Sequence, residues 1–230
     1  MKIIKKGNQT IMVDCIPNTM CGIMSLERWY PMSVVISICG SNFAMIGADR
    51  RQVNLKSNGD VLGVVSDDFH KVFRLTDNIL FGCSGMYNLD EDLLDPFKVL
   101  THPKLMTMRT AAKAVIQYVD GLPVGARTLC RHYTLCGRDN KGRFCVCTIS
   151  SQNNFEPQWI VLEDGQFYVQ VMGLYGRIED DPLVNKHIVQ TQPWGTNTVL
   201  KQHLNECLTE YTLADKTGTI GGIPEILTIT

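Results

Sequence analysis

The chain carries almost no net charge. Its 22 lysines and arginines are balanced by 23 aspartates and glutamates, so the formal charge at pH 7 is −1 over 230 residues. A protein that follows the phosphates of a nucleic acid needs an excess of basic residues. The charge balance therefore argues against nucleic acid as a partner. The hydrophobic fraction of 44% is ample for a buried core.

The sequence also lacks a long hydrophobic run. Its most apolar stretch, 33–48, is interrupted by polar or small residues at 37, 40, 41 and 42. A membrane-spanning helix needs about 20 nearly uninterrupted apolar residues. The N-terminal MKIIKK is followed by polar residues and not by the apolar core of a secretory signal. We therefore expect no membrane association and a cytoplasmic location.

Cysteine patterns typical of metal sites and disulfide frameworks are missing. The nine cysteines are scattered, with no Cys-x-x-Cys pair and no Cys/His set at zinc spacing. Cys145 and Cys147, for example, lie in an apolar segment that resembles a strand. We expect buried, reduced thiols, no metal ion and no cofactor.

The sequence does contain an alternation of strand and helix patterns. Its first part predicts strands at 34–40, 43–49, 71–75 and 78–85, and helices at 86–100 and 105–119. Residues 50–70 contain a polar loop, NLKSNGD, with a predicted turn at Asn58-Gly59. Its second part predicts strands at 128–136, 143–150, 157–162 and 166–172, helices at 178–190 and 196–213, and a terminal strand EILTIT. Thr196 is the predicted N-cap of the last helix.

This order of elements predicts one α+β domain with helices outside and sheets inside. Residues 1–32 differ from the rest, because they show no sustained periodicity and contain Pro17 and Pro31. We interpret residues 1–32 as an N-terminal extension and residues 33–230 as the domain.

Two segments resemble a known family. SVVISICGSNFAMIGADRR (33–51) has the strand, the glycine turn and the Gly-Ala-Asp-x-Arg motif that begin a mature proteasome β-subunit. DDFHKVFRLTDNILFGCSG (67–85) is similar to the next block of that family, in which a lysine leads into a strand that ends at a glycine turn. The ending at 219–229 looks most like the bacterial ancestral branch. The resemblance implies the four-layer α/β/β/α sandwich of N-terminal nucleophile hydrolases.

The resemblance also implies roles for individual residues. Ser33 falls at the position of the N-terminal nucleophile, and Asp49 on the aspartate that orients a lysine. Lys71 falls on that lysine, which lowers the pKa of the nucleophile, and Gly85 on the glycine whose N–H forms the oxyanion hole. Asp215 resembles the second acid that precedes the last strand.

Substrate contacts follow from the same resemblance. It implies substrate binding by Arg51, Cys83, Ser84 and Tyr87, a peptide or protein substrate, and self-association into rings or stacked oligomers. The family uses the free α-amine of its first residue, with a pKa near 8, as the base that activates the hydroxyl. In this chain that chemistry requires cleavage between Met32 and Ser33 and removal of residues 1–32.

Two hypotheses follow. In the first, the protein is a proteasome-like peptidase or amidase with Ser33 as its nucleophile. In the second, it is a catalytically inactive structural or assembly subunit that keeps its extension, and Asp49 and Lys71 form a structural ion pair. A shorter match, Cys21-Gly22-Ile23, is similar to the start of class II glutamine amidotransferases, but the later motifs of that class are absent.

Overall fold

The structure is a computed structural model that describes residues 1–6, 9–16, 33–55, 61–87, 92–98, 100, 105–127, 129–173 and 181–230. Strands and helices are mixed along this part of the chain, so the predicted α+β class is confirmed. The described strands form two large sheets and one two-stranded sheet. No helix among the described residues combines the length and apolar character needed to cross a membrane.

The first large sheet has six strands and contains both ends of the described chain. In spatial order its strands are β1 (Lys2–Lys6), β2 (Gln9–Ile16), β12 (Gln166–Met172), β3 (Val35–Gly40), β4 (Ala44–Ala48) and β13 (Glu225–Ile229). The pair β2–β12 is parallel, and the other pairs in this sheet are antiparallel.

The second large sheet has five antiparallel strands. In spatial order they are β11 (Gln158–Val161), β10 (Phe144–Ser150), β9 (Arg131–Arg138), β8 (Ile79–Gly85) and β7 (Val72–Thr76). A separate hairpin consists of β5 (Gln52–Leu55) and β6 (Val61–Ser66).

The helices occur in two groups. The first comprises α1 (Asp95–Lys98), α2 (Met108–Gly121) and α3 (Val124–Arg127). The second comprises α4 (Pro182–Val184), a π-helical turn (Asn185–Val189) and α5 (Asn197–Ala214). Thr196 caps α5 by accepting a hydrogen bond from the backbone N–H of Val199, which confirms the predicted N-cap.

Side-chain alternation along the central strands supplies three hydrophobic cores. Val35 and Cys39 of β3 join residues of both large sheets in one core, whereas Ile36 and Ile38 face the opposite way. That opposite face packs against α4 and α5 in a second core. The outer face of the five-stranded sheet packs against α1 and α2 in a third. The central strands are buried on both faces, which explains their nearly continuous apolar sequences.

The predicted helix at 86–100 is wrong for most of the residues that the structure describes in this segment. Only Asp95–Lys98 is α-helical among the described residues of this segment, and Met86 and Tyr87 are not helical. Pro96 lacks an amide hydrogen and is tolerated only in the first turn of a helix, so a helix can begin here but cannot continue through Pro96 from the preceding residues. An apolar spacing of helical period therefore does not continue through this point.

Two strand pairs occur where the sequence predicts none. The segment 50–70, for which the sequence predicts a polar loop and no strand, contains β5 and β6, and its predicted Asn58-Gly59 turn lies outside the described residues. In the predicted N-terminal extension, β1 and β2 belong to the six-stranded sheet. The boundary between residues 32 and 33 stays a prediction, and residues 17–32 lie outside the described part of the chain.

Burial of reduced cysteines is confirmed where the structure describes their side chains. The buried cysteines that form no disulfide in the described part of the chain are Cys39, Cys83, Cys130, Cys136, Cys145, Cys147 and Cys207. The side chains of Cys15 and Cys21 lie outside the described part.

Candidate active site

Ser33 lies at the start of β3 and is only 3% exposed. Its carbonyl oxygen packs directly against Gly173, the residue after β12. Gly173 has a φ of +96°, and a Cβ atom at this position would lie 1.8 Å from the Ser33 oxygen. Only glycine fits here. The backbone of Ser33 is therefore held closely against the end of the neighbouring strand.

Asp49 follows β4 and is fully buried. Its Oδ1 atom accepts a hydrogen bond from the backbone N–H of Val34 at 2.8 Å. Its Oδ2 atom accepts from the backbone N–H groups of Arg51 and Gly221, at 3.1 and 3.3 Å. The carboxylate therefore joins the segment after Ser33 to two other parts of the chain.

Lys71 completes a buried ion pair with Asp49. The Nζ atom of Lys71 lies 2.8 Å from each carboxylate oxygen, and the two side chains are 6% and 0% exposed. A buried ion pair is stable only when further hydrogen bonds compensate for the loss of water. The amides around Asp49 supply them, and the ammonium of Lys71 has a third N–H to donate.

A cavity of about 480 Å³ lies beside this ion pair. It is lined by three of the predicted catalytic residues, Ser33, Lys71 and Gly85. All the predicted substrate-binding residues also line it, namely Arg51, Cys83, Ser84 and Tyr87. Asp49 lies behind Lys71 and does not line the cavity. Predicted site residues up to 54 positions apart, from Ser33 to Tyr87, thus meet at one cavity.

Several residues of the cavity wall are absent from the set of site residues that the sequence predicts. Gln52, Val53, Asn54 and Leu55 of β5 line the cavity, together with Phe69, Met86 and Leu93. The sequence predicts a polar loop where β5 lies, so these wall residues are absent from its list of site residues. The interval of 38 residues between Ser33 and Lys71 is longer than in the family that these segments resemble, and this extra length is a sequence signal of an additional element here.

Gly85 ends β8 in a conformation that suits glycine. Its φ is +125°, and a Cβ atom would lie 2.2 Å from the carbonyl oxygen of Cys130. The next residue, Met86, donates its backbone N–H to that same carbonyl at 2.7 Å. The end of β8 is therefore packed closely against the residue that precedes β9.

We expect Gly85→Ala to lower the free energy of unfolding by about 1–3 kcal/mol, because alanine is strained at this φ and its methyl group meets a carbonyl. Chemical denaturation measures the loss. The matched control is Gly63→Ala in the exposed strand β6, where a Cβ atom meets no other atom within 4 Å. Equal stability of the two variants would contradict the close packing at Gly85.

Besides hydroxyl groups, the cavity wall contains the thiol of Cys83. Burial raises the pKa of its thiol to about 12, although the Lys71 ammonium and the Tyr87 hydroxyl oppose the rise. The thiol therefore stays protonated at neutral pH, and a protonated thiol is a poor nucleophile. Its Sγ atom lies 3.6 Å from the backbone oxygen of Lys71. The geometry favours the hydroxyl of Ser33 over the thiol of Cys83.

Arg51 contributes a fixed cation to the cavity wall. Its guanidinium binds the carboxylate of Asp67 in a bidentate manner, at 2.5 and 3.0 Å. It also donates to the backbone oxygen of Gly218 at 3.3 Å. The hydrogen bond from Arg51 lowers the pKa of Asp67, so the pair is ionised at neutral pH. These contacts orient the guanidinium beside the cavity.

Asp215 follows α5 and does not line the cavity. It accepts hydrogen bonds from the Thr217 hydroxyl at 2.5 Å, the Ile220 amide at 2.7 Å and the Thr219 hydroxyl at 3.3 Å. Burial alone would raise its pKa, but the Thr217 hydroxyl and the surrounding amides hold it below its ordinary value. Asp215 thus shapes the loop whose Gly221 amide reaches Asp49.

His132 has partners inside the protein. Its Nδ1 atom lies 2.7 Å from the Ser150 hydroxyl, and its Nε2 atom lies 3.2 Å from the Cys130 sulfur. Burial lowers the pKa of the imidazole to about 4, so the ring is neutral at neutral pH. These contacts fit a structural histidine.

No protein-family model matches the chain. No curated protein matches it either. The functional argument therefore starts from the arrangement of Ser33, Asp49, Lys71 and Gly85.

Proposed function

We propose that the protein is an N-terminal nucleophile hydrolase that cleaves peptide or other amide bonds. Ser33 is the nucleophile once the bond between Met32 and Ser33 is cleaved. One observation carries the proposal: Ser33 and Gly85 line the same cavity as Lys71, whose ammonium is held by the buried carboxylate of Asp49. Such a convergence supplies a nucleophile, a buried cation and an oxyanion donor in one place.

The fold assignment belongs to the same proposal. We assign the chain to the four-layer α/β/β/α sandwich class. The core shared by the two sheets and the two outer cores formed with helices support this assignment. The position of Ser33 at the start of a central strand agrees with it.

The chemistry proceeds through an ester on Ser33. The free α-amine takes the proton of the Ser33 hydroxyl as its oxygen attacks the substrate carbonyl. The Lys71 ammonium, fixed by Asp49, stabilises negative charge on that oxygen, and the N–H of Gly85 donates to the oxyanion. The C–N bond breaks, and the amine leaves with the proton. Water then hydrolyses the ester, which restores the hydroxyl and releases the acid.

The cavity wall favours an apolar group on the acyl side of the cleaved bond. Val53, Leu55, Phe69 and Leu93 provide apolar surface within about 480 Å³. Binding sites of this volume commonly combine apolar walls with a few polar groups that orient the ligand. A peptide with a medium-sized apolar side chain fits this wall.

A second candidate function is a catalytically inactive structural or assembly subunit. The incorporation of β1 and β2 into the six-stranded sheet favours it, because an extension so held is compatible with an uncleaved chain. In that case Ser33 has an amide nitrogen in place of an amine, and no base is available there. The Asp49–Lys71 pair then serves stability alone.

N-terminal sequencing and intact mass under denaturing conditions distinguish the two. We expect a polypeptide that begins at Ser33 and a preparation that hydrolyses capped peptide amides with an apolar acyl-side residue. A chain that remains continuous through Ser33 and hydrolyses none of these amides would favour the structural subunit.

A further inference from the structure

We propose that residues 1–16 stay bound to the domain after cleavage before Ser33, so that the mature protein is a non-covalent complex of two polypeptides. The N-terminal polypeptide supplies β1 and β2 to the six-stranded sheet. The cleavage itself belongs to the proposed function, whereas the retention follows from the contacts of β2. Activity then requires a break in the chain, and the departure of residues 1–32 is unnecessary.

The first step is the backbone pairing of β2. Thr10–Ile16 of β2 lies parallel to Gln166–Met172, with each of these β2 residues opposite one of β12. The backbone N–H of Thr10 also donates to the carbonyl of Gly165 at 2.9 Å. On its other side, β2 pairs along the length of β1. None of these hydrogen bonds involves the residues on either side of the proposed cleavage point, and those between β2 and β12 join the two polypeptides.

The second step is the anchoring of side chains on both faces of β2. Ile11 is completely buried in the core that β12 shares with α4 and α5. Ile4 of β1 packs against the same core, and Met12 packs against the core between the two sheets. Departure of the hairpin would expose apolar groups of β12 and leave an unpaired edge.

The third step is the position of the cleavage point. Met172 pairs with Ile16 on one side and with Val35 on the other. Neighbouring strands lie about 4.8 Å apart, so the backbones of Ile16 and Val35 are separated by about 10 Å. A break before Ser33 leaves two residues, Ser33 and Val34, ahead of the paired Val35, and it frees the amine of Ser33 while β1 and β2 keep all their pairing contacts.

The test uses the full chain with a site-specific protease sequence substituted within residues 17–32. After complete cleavage we expect both polypeptides to co-elute in equimolar amounts in native buffer and to separate in denaturant. Separation in native buffer would overturn the proposal. Because an added protease makes the cut, the result is independent of any activity of Ser33.

Matched variants test whether side-chain anchoring retains the fragment. Ile11 is 0% exposed, whereas Ile3 in β1 is 57% exposed. In the cleaved protein we expect Ile11→Ala to raise the dissociation constant of the N-terminal polypeptide on the order of 100-fold. Ile3→Ala should leave it unchanged. Equal effects of the two substitutions would overturn the proposed anchoring.

Discussion

Ser33→Ala is expected to lower kcat/KM for amide hydrolysis by on the order of 1000-fold or more, because no other described side chain in the cavity supplies an activated nucleophile. The substitution removes one hydroxyl from a residue that is 3% exposed and introduces no charge. We expect the free energy of unfolding to change by about 1 kcal/mol or less. Steady-state kinetics and chemical denaturation on the same preparation measure both quantities.

Two further variants make this result specific. Ser33→Thr keeps a hydroxyl at the same place and should retain measurable activity. Ser37→Ala removes a buried hydroxyl from β3. This hydroxyl lies away from the cavity and donates a hydrogen bond to the side chain of Gln170 at 3.3 Å. This variant should retain full activity. Unchanged turnover in Ser33→Ala, or an equal loss in Ser37→Ala, would exclude Ser33 as the nucleophile.

The central hairpin shows what local sequence can predict. Strands were expected at 34–40 and 43–49, and β3 and β4 occupy Val35–Gly40 and Ala44–Ala48. Their apolar, β-branched sequences and the short turn between them contain the necessary information, because both faces are buried and the partner strand is adjacent. The same holds for α5, whose Thr196 cap marks its start.

β2 shows where local sequence fails. Its partner β12 lies more than 150 residues later in the chain, and the pairing is parallel. No turn or short-range alternation signals such a contact. The sequence does not predict the β5 wall of the cavity for a related reason: β5 meets Phe69, Lys71 and Leu93 at the cavity only in the assembled fold, because these residues belong to other segments.

The candidate site likewise combines features that local sequence predicts with features that depend on contacts between distant segments. The resemblance to proteasome β-subunits identified residues that line the cavity, Ser33, Lys71 and Gly85. It could not indicate that Gly221 donates to Asp49 or that Gly173 packs on Ser33. Those contacts join sequence-distant backbone atoms and depend on the assembled sheets. Motifs thus predicted side chains that meet at the cavity, while the supporting contacts required the fold.

Substitutions in the buried Asp49–Lys71 ion pair are the second change for which we expect a large effect. They should affect the free energy of unfolding and the catalytic activity differently. Asp49→Asn should lower the free energy of unfolding by about 3–5 kcal/mol, because it leaves the ammonium of Lys71 buried without a counterion. Lys71→Met should cost less, since the carboxylate of Asp49 still accepts from the amides of Val34, Arg51 and Gly221. Among the described residues, the Lys71 ammonium hydrogen-bonds only to Asp49.

The double variant Asp49→Asn/Lys71→Met removes both charges and should recover stability relative to Asp49→Asn. Its activity should nevertheless stay at the level of Ser33→Ala, because the cation beside the nucleophile is gone. Denaturant unfolding and kcat/KM of all three variants give the two readouts, with the exposed Lys113→Met as a control for loss of a lysine. A double variant that regained both stability and activity would reduce Asp49 and Lys71 to a structural pair.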